Sequence, residues 1–308
     1  MKRVVITGAT GMIGSTLARL CVQAGYDVVA LARTSSARIG NLKGMRGVRI
    51  VDFDVANLQA VSARDIAPTD IFFHLAWVGT SPSTRGLLQS QVDNVSHTLE
   101  AVQLAARLGC SVFVGTGSQA EYGRVEGDLR PDTPPFPETG YGVAKLCAGQ
   151  MSRLACGDLG IRHEWARILS VYGPRDVSHS MVMSVIRDAV SGVSPRCTKG
   201  EQLWDYLYCD DCARALLAMA ERGRDGAVYP VGSGVQRPLK EYILDICQAA
   251  GTGVTPDFGA IAYQPKQVMR LRADISPLTS DTGFSPEIAF GEGVQRTIEW
   301  YKENQARG

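Results

Sequence analysis

Short apolar or β-branched runs recur through the first half of the chain, at 4–6, 28–31, 48–51, 71–75, 111–114 and 165–171, with helical stretches between them. The clearest of the helices spans 87–108. Runs this short and this apolar suit strands buried on both faces. Their alternation with helices predicts an α/β fold with a doubly wound parallel sheet. In such a sheet ligands lie just outside the carboxyl ends of the strands, so the residues after each run are the ones to read for chemistry.

After the first run comes Thr7-Gly8-Ala9-Thr10-Gly11-Met12-Ile13-Gly14, followed by a helical stretch with Leu17, Ala18, Leu20 and Cys21. Glycines spaced by three also fit an ordinary turn in a chain that has 33 of them. A strand before, a helix after and a second strand beyond favour a dinucleotide-binding, Rossmann-type loop. One glycine then serves the tight turn, one the approach of the pyrophosphate, and Gly14 the close packing of helix on strand. From Gly11 onward the opening N–H groups of the helix, with Met12 and Ile13, face the phosphates.

After the second run stand Ala32, Arg33, Thr34, Ser35 and Ser36, with Arg38 close behind. An NAD site usually carries an acid here for the ribose 2′-hydroxyl, and Ala32 holds that place. Arg33, three hydroxyl side chains and Arg38 suit a 2′-phosphate, so NADP(H) is expected ahead of NAD(H), which stays open. After the third run, Asp54 and Val55 are placed at the adenine, although a solvated loop acid fits the same residues. After the fourth, Leu75 and Ala76 enter the cofactor cleft, while His74 reads as a packed histidine. Asn94 is assigned to the same cleft, because an Asn inside a helix is unfavourable unless its amide is used, on strands or on a water.

After the fifth run, Gly115-Thr116-Gly117-Ser118-Gln119-Ala120-Glu121-Tyr122-Gly123 leads into a proline-rich loop and a helix from about Glu138 that carries Tyr141 and Lys145. Residues four apart share one helix face, so phenol and ammonium point into one cleft. The cation is expected to lower the phenol pKa from its reference near ~10, making Tyr141 a proton donor and acceptor. Ser118, at the end of the neighbouring strand, is placed to hydrogen-bond the reacting oxygen. Chance gives roughly 0.2 Tyr with Lys four residues on in such a composition; the one such pair in this chain falls on the helix after the fifth strand.

The remaining composition narrows the class. At 308 residues and 45% hydrophobic the chain can bury one large core, or one core and a smaller lobe. A net charge of +1 without basic or acidic runs calls for neither nucleic acid nor a membrane surface. The first strand follows two residues after the initial Met, and no apolar run reaches spanning length, so a soluble cytoplasmic protein is expected. Eight cysteines at irregular spacings read as reduced thiols. Cys209 and Cys212 have the spacing of a redox or zinc pair, yet no second pair accompanies them, and they fall where a helix packs; core cysteines are expected, and no metal site.

Together these residues resemble the extended short-chain dehydrogenase/reductases, the nucleotide-sugar epimerases, dehydratases and reductases. Thr7 to Gly14 is similar to that family's cofactor loop, and Ser118, Tyr141 and Lys145 match its catalytic Ser, Tyr and Lys. Val171-Tyr172-Gly173-Pro174-Arg175 resembles its exit turn, and the stretch from Trp204 to Asp211 its returning segment. Asp274, Gly283-Phe284-Ser285-Pro286, Glu292-Gly293-Val294 and Thr297 to Tyr301 resemble its C-terminal signature. The resemblance implies a Rossmann cofactor domain over 1–172 completed by about 206–232, and a smaller C-terminal α/β substrate lobe over 173–205 and 233–308. It implies hydride transfer at the 4-position of a nucleotide-activated sugar, with Tyr141 moving the proton, Lys145 holding the nicotinamide ribose and Ser118 orienting the oxygen. It also implies a homodimer through helices near 88–108 and 138–157.

Within that family, 4,6-dehydratases carry Asp-Glu directly after the catalytic hydroxyl, where this chain has Gln119 and Ala120. Dehydration is therefore not expected. An NADPH-dependent 4-keto sugar reductase is favoured, with an NAD-dependent 4-epimerase and a catalytically silent NADP sensor as alternatives. Gln119, Arg175, His179 and Arg196 are the candidate substrate contacts, the arginines for a diphosphate together with Arg237, although surface arginines fit equally.

Overall fold

Val4, Val5 and Ile6 have no exposed surface, and they belong to an interior strand of a seven-stranded sheet in the computed structural model, which describes residues 2–66, 68–81 and 83–305. The first half of the chain supplies β1 (Arg3–Thr7), α1 (Met12–Gln23), β2 (Asp27–Ala32), β3 (Val48–Asp52), β4 (Ile71–His74), α2 (Leu88–Arg107), β5 (Val112–Ser118) and α3 (Gly140–Asp158). Then come β6 (Arg162–Ile168), β7 (Ser170–Tyr172), α4 (Met181–Val190), β8 (Arg196–Cys197), β9 (Leu203–Trp204) and β10 (Tyr206–Tyr208). The chain closes with α5 (Cys209–Arg222), β11 (Ala227–Val231), α6 (Leu239–Ala250), α7 (Ser276–Thr282) and α8 (Phe290–Gln305), among short bridging strands.

The sheet order is β11-β6-β5-β4-β1-β2-β3, with every neighbouring pair parallel. Alternate side chains of each strand serve two cores. Val4, Ile6, Val28 and Ala30 pack with Leu17 and Cys21 of α1 and with Cys212 and Leu216 of α5. Val5, Val29, Phe72 and Phe113 pack with Val102 and Ala105 of α2. Each fully buried Val or Ile contributes about 1.5–3 kcal/mol relative to an exposed one. A separate core gathers Tyr172, Tyr208, Tyr242, Ile186, Ile246 and Ile298 from β7, β10, α6, α4 and α8.

The expected doubly wound α/β architecture is therefore present, with local differences. The fifth strand extends to Ser118, beyond the apolar run, because Gly115 and Gly117 leave room for Trp165. A Cβ on either would lie within 2.4 Å of the indole. The run expected over 165–171 divides at Leu169 into β6, in the large sheet, and β7, which pairs with β10. The helix expected from Glu138 begins at Gly140, where the Thr139 hydroxyl accepts from the Gly142 N–H at 3.1 Å. Cys209 and Cys212 are buried in cores, as their helical setting suggested.

Directly after β5 the chain makes a short 3₁₀ turn, Gln119–Glu121, that carries the most buried carboxylate near the sheet's working edge. Glu121 accepts from the Ser118 backbone N–H (2.8 Å), the Trp165 indole N–H (3.1 Å) and Arg167 Nε (2.7 Å). Glu121 and Arg167 are 0% and 3% exposed. Neither charge has water to fall back on. On the opposite side of the molecule from α1 and α5, α2 and α3 pack against each other and leave Leu88, Val92, Val143, Met151 and Leu154 exposed by 42–65%.

Glu121→Ala should destabilise the fold by about 3–5 kcal/mol in urea titration, since it strands the Arg167 charge in the core. The double variant Glu121→Leu/Arg167→Met should recover most of that loss.

Candidate active site

The strand order reverses between β1 and β4, since the chain winds outward through β2 and β3 and then returns to the other side of β1. The crevice at this switch point is bounded by the residues after Thr7 and after His74. Gly8 adopts φ +70°, and a Cβ there would come within 2.6–2.8 Å of the Leu75 and Ala76 backbone. A Cβ on Gly14 would lie 2.3 Å from the Gly8 carbonyl oxygen, so helix and loop meet at a separation only glycine permits. Gly11 caps α1 without any side-chain hydrogen bond, and no acidic residue occupies the first helical turn. The N–H groups of Met12, Ile13 and Gly14 precede the first intrahelical bond, from Ser15 to Gly11. This cradle fits an anionic group such as a dinucleotide pyrophosphate.

A cavity of about 660 Å³ runs from Gly8, Thr10 and Gly11 along the end of β2 to the connector after β4. Arg33, Ser35, Ser36 and Arg38 line one end, with Asp54 and Val55 beside them; Leu75, Ala76 and Trp77 line the other. Arg33 and Asp54 face each other at 3.9 Å, both well exposed, a pairing weak enough to open for a ligand. Asp54 also caps the turn behind it by accepting from the Ala56 N–H at 3.1 Å. The Asp52 carboxylate holds Thr34 through both its N–H (2.7 Å) and its hydroxyl (2.9 Å). Those bonds hold Asp52 below the usual carboxylate range.

One of the expected assignments resolves differently and one holds. Asn94 does not leave its amide to a cofactor. It donates to Val78 O (2.9 Å) and Ser90 O (2.7 Å) and accepts from the Val78 N–H (2.8 Å), clamping the connector onto α2. Gln91 adds bonds from its amide to Gly79 O (3.1 Å) and from the Trp77 indole N–H to its oxygen (2.9 Å). His74 is packed, as expected, with Nδ1 3.0 Å from the Thr7 hydroxyl, and burial drives its pKa down to about 3.

Ser118 ends β5, and Tyr141 and Lys145 project from the first turns of α3, so all three meet beside Trp77. The Ser118 hydroxyl accepts from the Ala120 N–H at 3.2 Å and faces the Tyr141 phenol. The expected electrostatics are altered. Lys145 is buried, donates to Thr116 O at 2.6 Å and lies 3.7 Å above the Trp77 ring, 5.9 Å from the centre of the Tyr141 ring. Burial lowers its pKa to about 7, with the Glu121 carboxylate pulling it up and the Arg85 guanidinium pushing it down. The cation over Tyr141 is Arg85, 4.7 Å from the ring centre. Burial nevertheless outweighs both Arg85 and Ser118, and the phenol stands above its ordinary value rather than below it.

The candidate substrate residues scatter. Gln119 adjoins Ser118 in the 3₁₀ turn. Arg175 is half-buried at φ 71°, just beyond β7, and His179 is exposed nearby. Arg196 lines a second, largely apolar cavity of about 360 Å³ with Met181, Trp204, Tyr206 and Leu239. Arg237 is committed to Glu241 (3.1 Å) and Asp245 (2.8 Å), which removes it from the diphosphate candidates.

Known proteins share this fold. A UDP-glucose 4-epimerase from Thermotoga maritima, solved with UDP-glucose, superposes with TM-score 0.88 at 22% identity, covering 98% of this chain and 99% of that one. DesIV, a dTDP-glucose 4,6-dehydratase from Streptomyces venezuelae solved with NAD, superposes with TM-score 0.84 at 21% identity over 99% and 98% of the two chains. In sequence the chain is 28% identical to a dTDP-glucose 4,6-dehydratase of Streptomyces griseus, over 98% of this chain and 94% of that protein. It is 27% identical to a UDP-glucose 4-epimerase of Mycolicibacterium smegmatis over 97% and 98% of the two. Dehydratases thus stand among the relatives, against the expectation drawn from Gln119 and Ala120. The family profile described as NAD dependent epimerase/dehydratase matches residues 4–232. The chain is an enzyme of the extended short-chain dehydrogenase/reductase type and belongs to the NAD-dependent epimerase/dehydratase family.

Proposed function

We propose that this enzyme is an NADPH-dependent reductase of a nucleotide-activated 4-keto sugar. The observation that carries this reading is the crevice itself: its β2 end offers Arg33, Ser35, Ser36 and Arg38 with Ala32 in the place of an acid, which suits a 2′-phosphate. The region over 1–172 with 206–232 is the cofactor unit, and 173–205 with 233–308 the substrate lobe. Gly8, Thr10, Gly11, Met12, Ile13 and Gly14 hold the pyrophosphate, and Asp54, Val55, Leu75 and Ala76 flank the adenosine and nicotinamide ends. When bound, the nicotinamide supplies a hydride to carbon 4 of the sugar.

Tyr141 gives its phenolic proton to the oxygen on that carbon, Ser118 orients the oxygen, and Lys145 secures the nicotinamide ribose. Elimination of water across carbons 5 and 6 needs a further acid and base. Gln119 and Ala120 cannot ionise, and Glu121, the next carboxylate along, is occupied by Arg167, Trp165 and the Ser118 N–H. We assign the apolar cavity beside Arg196 to the nucleotide and Gln119, next to Ser118, to the sugar, with Arg175 and His179 beyond β7 as further candidate contacts.

A second reading, an NAD-dependent 4-epimerase, is supported by relatives. The epimerases named above share the fold, and a UDP-glucuronic acid 4-epimerase from Bacillus cereus has been solved with NAD. We further propose a homodimer whose interface is the exposed apolar face of α2 and α3.

Fluorescence titration separates the readings. NADPH should bind more tightly than NADH, and Arg33→Asp should weaken NADPH by about 10–100-fold, the worth of one charge-assisted hydrogen bond, while leaving NADH nearly unchanged. Co-purifying NAD with no preference for the phosphate would establish the epimerase instead. Tyr141→Phe should lower turnover of a nucleotide 4-keto sugar by about 10²–10⁴-fold with cofactor affinity retained. Light scattering should report a dimer, converted to monomer by Val92→Glu with Leu154→Glu.

A further inference from the structure

We propose that Arg85, on the connector between β4 and α2, is the cation that keeps Tyr141 more acidic than its burial alone would leave it. It is a positioning residue rather than one that touches the reacting atoms. This inference rests on the assignment of Tyr141 as the proton donor.

The geometry is specific. Arg85 Nε donates to the Thr80 carbonyl at 2.8 Å, which fixes the side chain within its own loop. The guanidinium then lies 4.7 Å from the centre of the Tyr141 ring and covers a phenol that is only 8% exposed. The loop is itself held down, by the Asn94 clamp on Val78 and the Gln91 bonds to Gly79 and Trp77. Three charged groups face Tyr141. Lys145, on its own helix, has its ammonium on Thr116 O and the Trp77 ring. Glu121, in the turn after β5, is negative and opposes ionisation of the phenol. Arg85 is the cation that favours it. A full positive charge this close to a buried phenol stabilises the phenolate and so makes the phenol a better acid. Arg85 is also the expendable member of the group, since its side chain is exposed and no core depends on it.

The consequence is that proton transfer depends on the connector being docked. Lifting the loop away takes the cation with it and leaves Tyr141 with the burial and the Glu121 charge that oppose ionisation.

The test uses 3,5-difluorotyrosine in place of Tyr141, whose fluorines bring the phenol titration into an accessible range and report it as a single signal by fluorine NMR. Arg85→Gln should raise the titration midpoint by about one pH unit, a tenfold loss of acidity. Arg85→Lys, which keeps the charge, should restore most of it. An unmoved midpoint in Arg85→Gln overturns the inference, and so does a shift that Arg85→Lys fails to reverse. The measurement needs no substrate, so failure of the 4-keto sugar reading shows separately, as absent turnover in the unsubstituted enzyme. Where turnover is present, the alkaline limb of kcat/KM should move upward in Arg85→Gln by the same interval, because the protonated phenol then persists to higher pH.

Discussion

The working edge of this enzyme hangs on one buried carboxylate. Glu121 is bonded to the backbone of Ser118, the indole of Trp165 and the guanidinium of Arg167, so a single side chain ties the end of β5 to β6 beneath the reacting centre. Gly115 and Gly117 exist in β5 because that arrangement needs the space their missing side chains leave. Gly149 does the same from α3, where a Cβ would come 2.7 Å from Trp165. The result is a strand end that cannot drift, and a Ser118 whose backbone is fixed before any ligand arrives. Desolvating an ion pair for this purpose costs stability that an apolar core would have kept. The return is position, together with a negative charge where the Lys145 ammonium would otherwise lose its proton to burial.

The electrostatics of the site therefore come from groups on different elements acting against one another. Burial raises the Tyr141 phenol and lowers Lys145; Glu121 raises both; Arg85 lowers both. Tyr141 and Lys145 alone do not fix their own protonation, which is why their four-residue spacing brings the two groups to one cleft without describing its electrostatics. In this arrangement Lys145 is nearer to Trp77 than to the phenol it accompanies along the helix.

Much of this was legible in the sequence. The alternating apolar runs foretold the parallel sheet, and Gly14 foretold the close packing at the start of α1, because both signals are local. That Ser118, Tyr141 and Lys145 come together was legible for the same reason. What was not legible depends on contacts between distant segments. Nothing in the spacing marks Glu121 as the partner of Arg167, 46 residues on, or Arg85 as the cation over Tyr141. Asn94 shows the intermediate case. A polar residue in a helix interior signalled that its amide was in use, but only the fold reveals that it is used on Val78. Arg237 shows the converse, a plausible anion contact on paper whose charge is already matched by Glu241 and Asp245 on α6.

The seventh strand of the sheet, β11, pairs with β6 only after the chain has left to build β7 through α5. During synthesis this places a deadline on the ribosome's product. Until residue 222 has emerged one side of the sheet lacks α5, and until residue 231 has emerged β6 presents a bare hydrogen-bonding edge. Nascent chains stalled or cleaved within that interval expose both a strand edge and an apolar face, the two features that recruit chaperones or template aggregation.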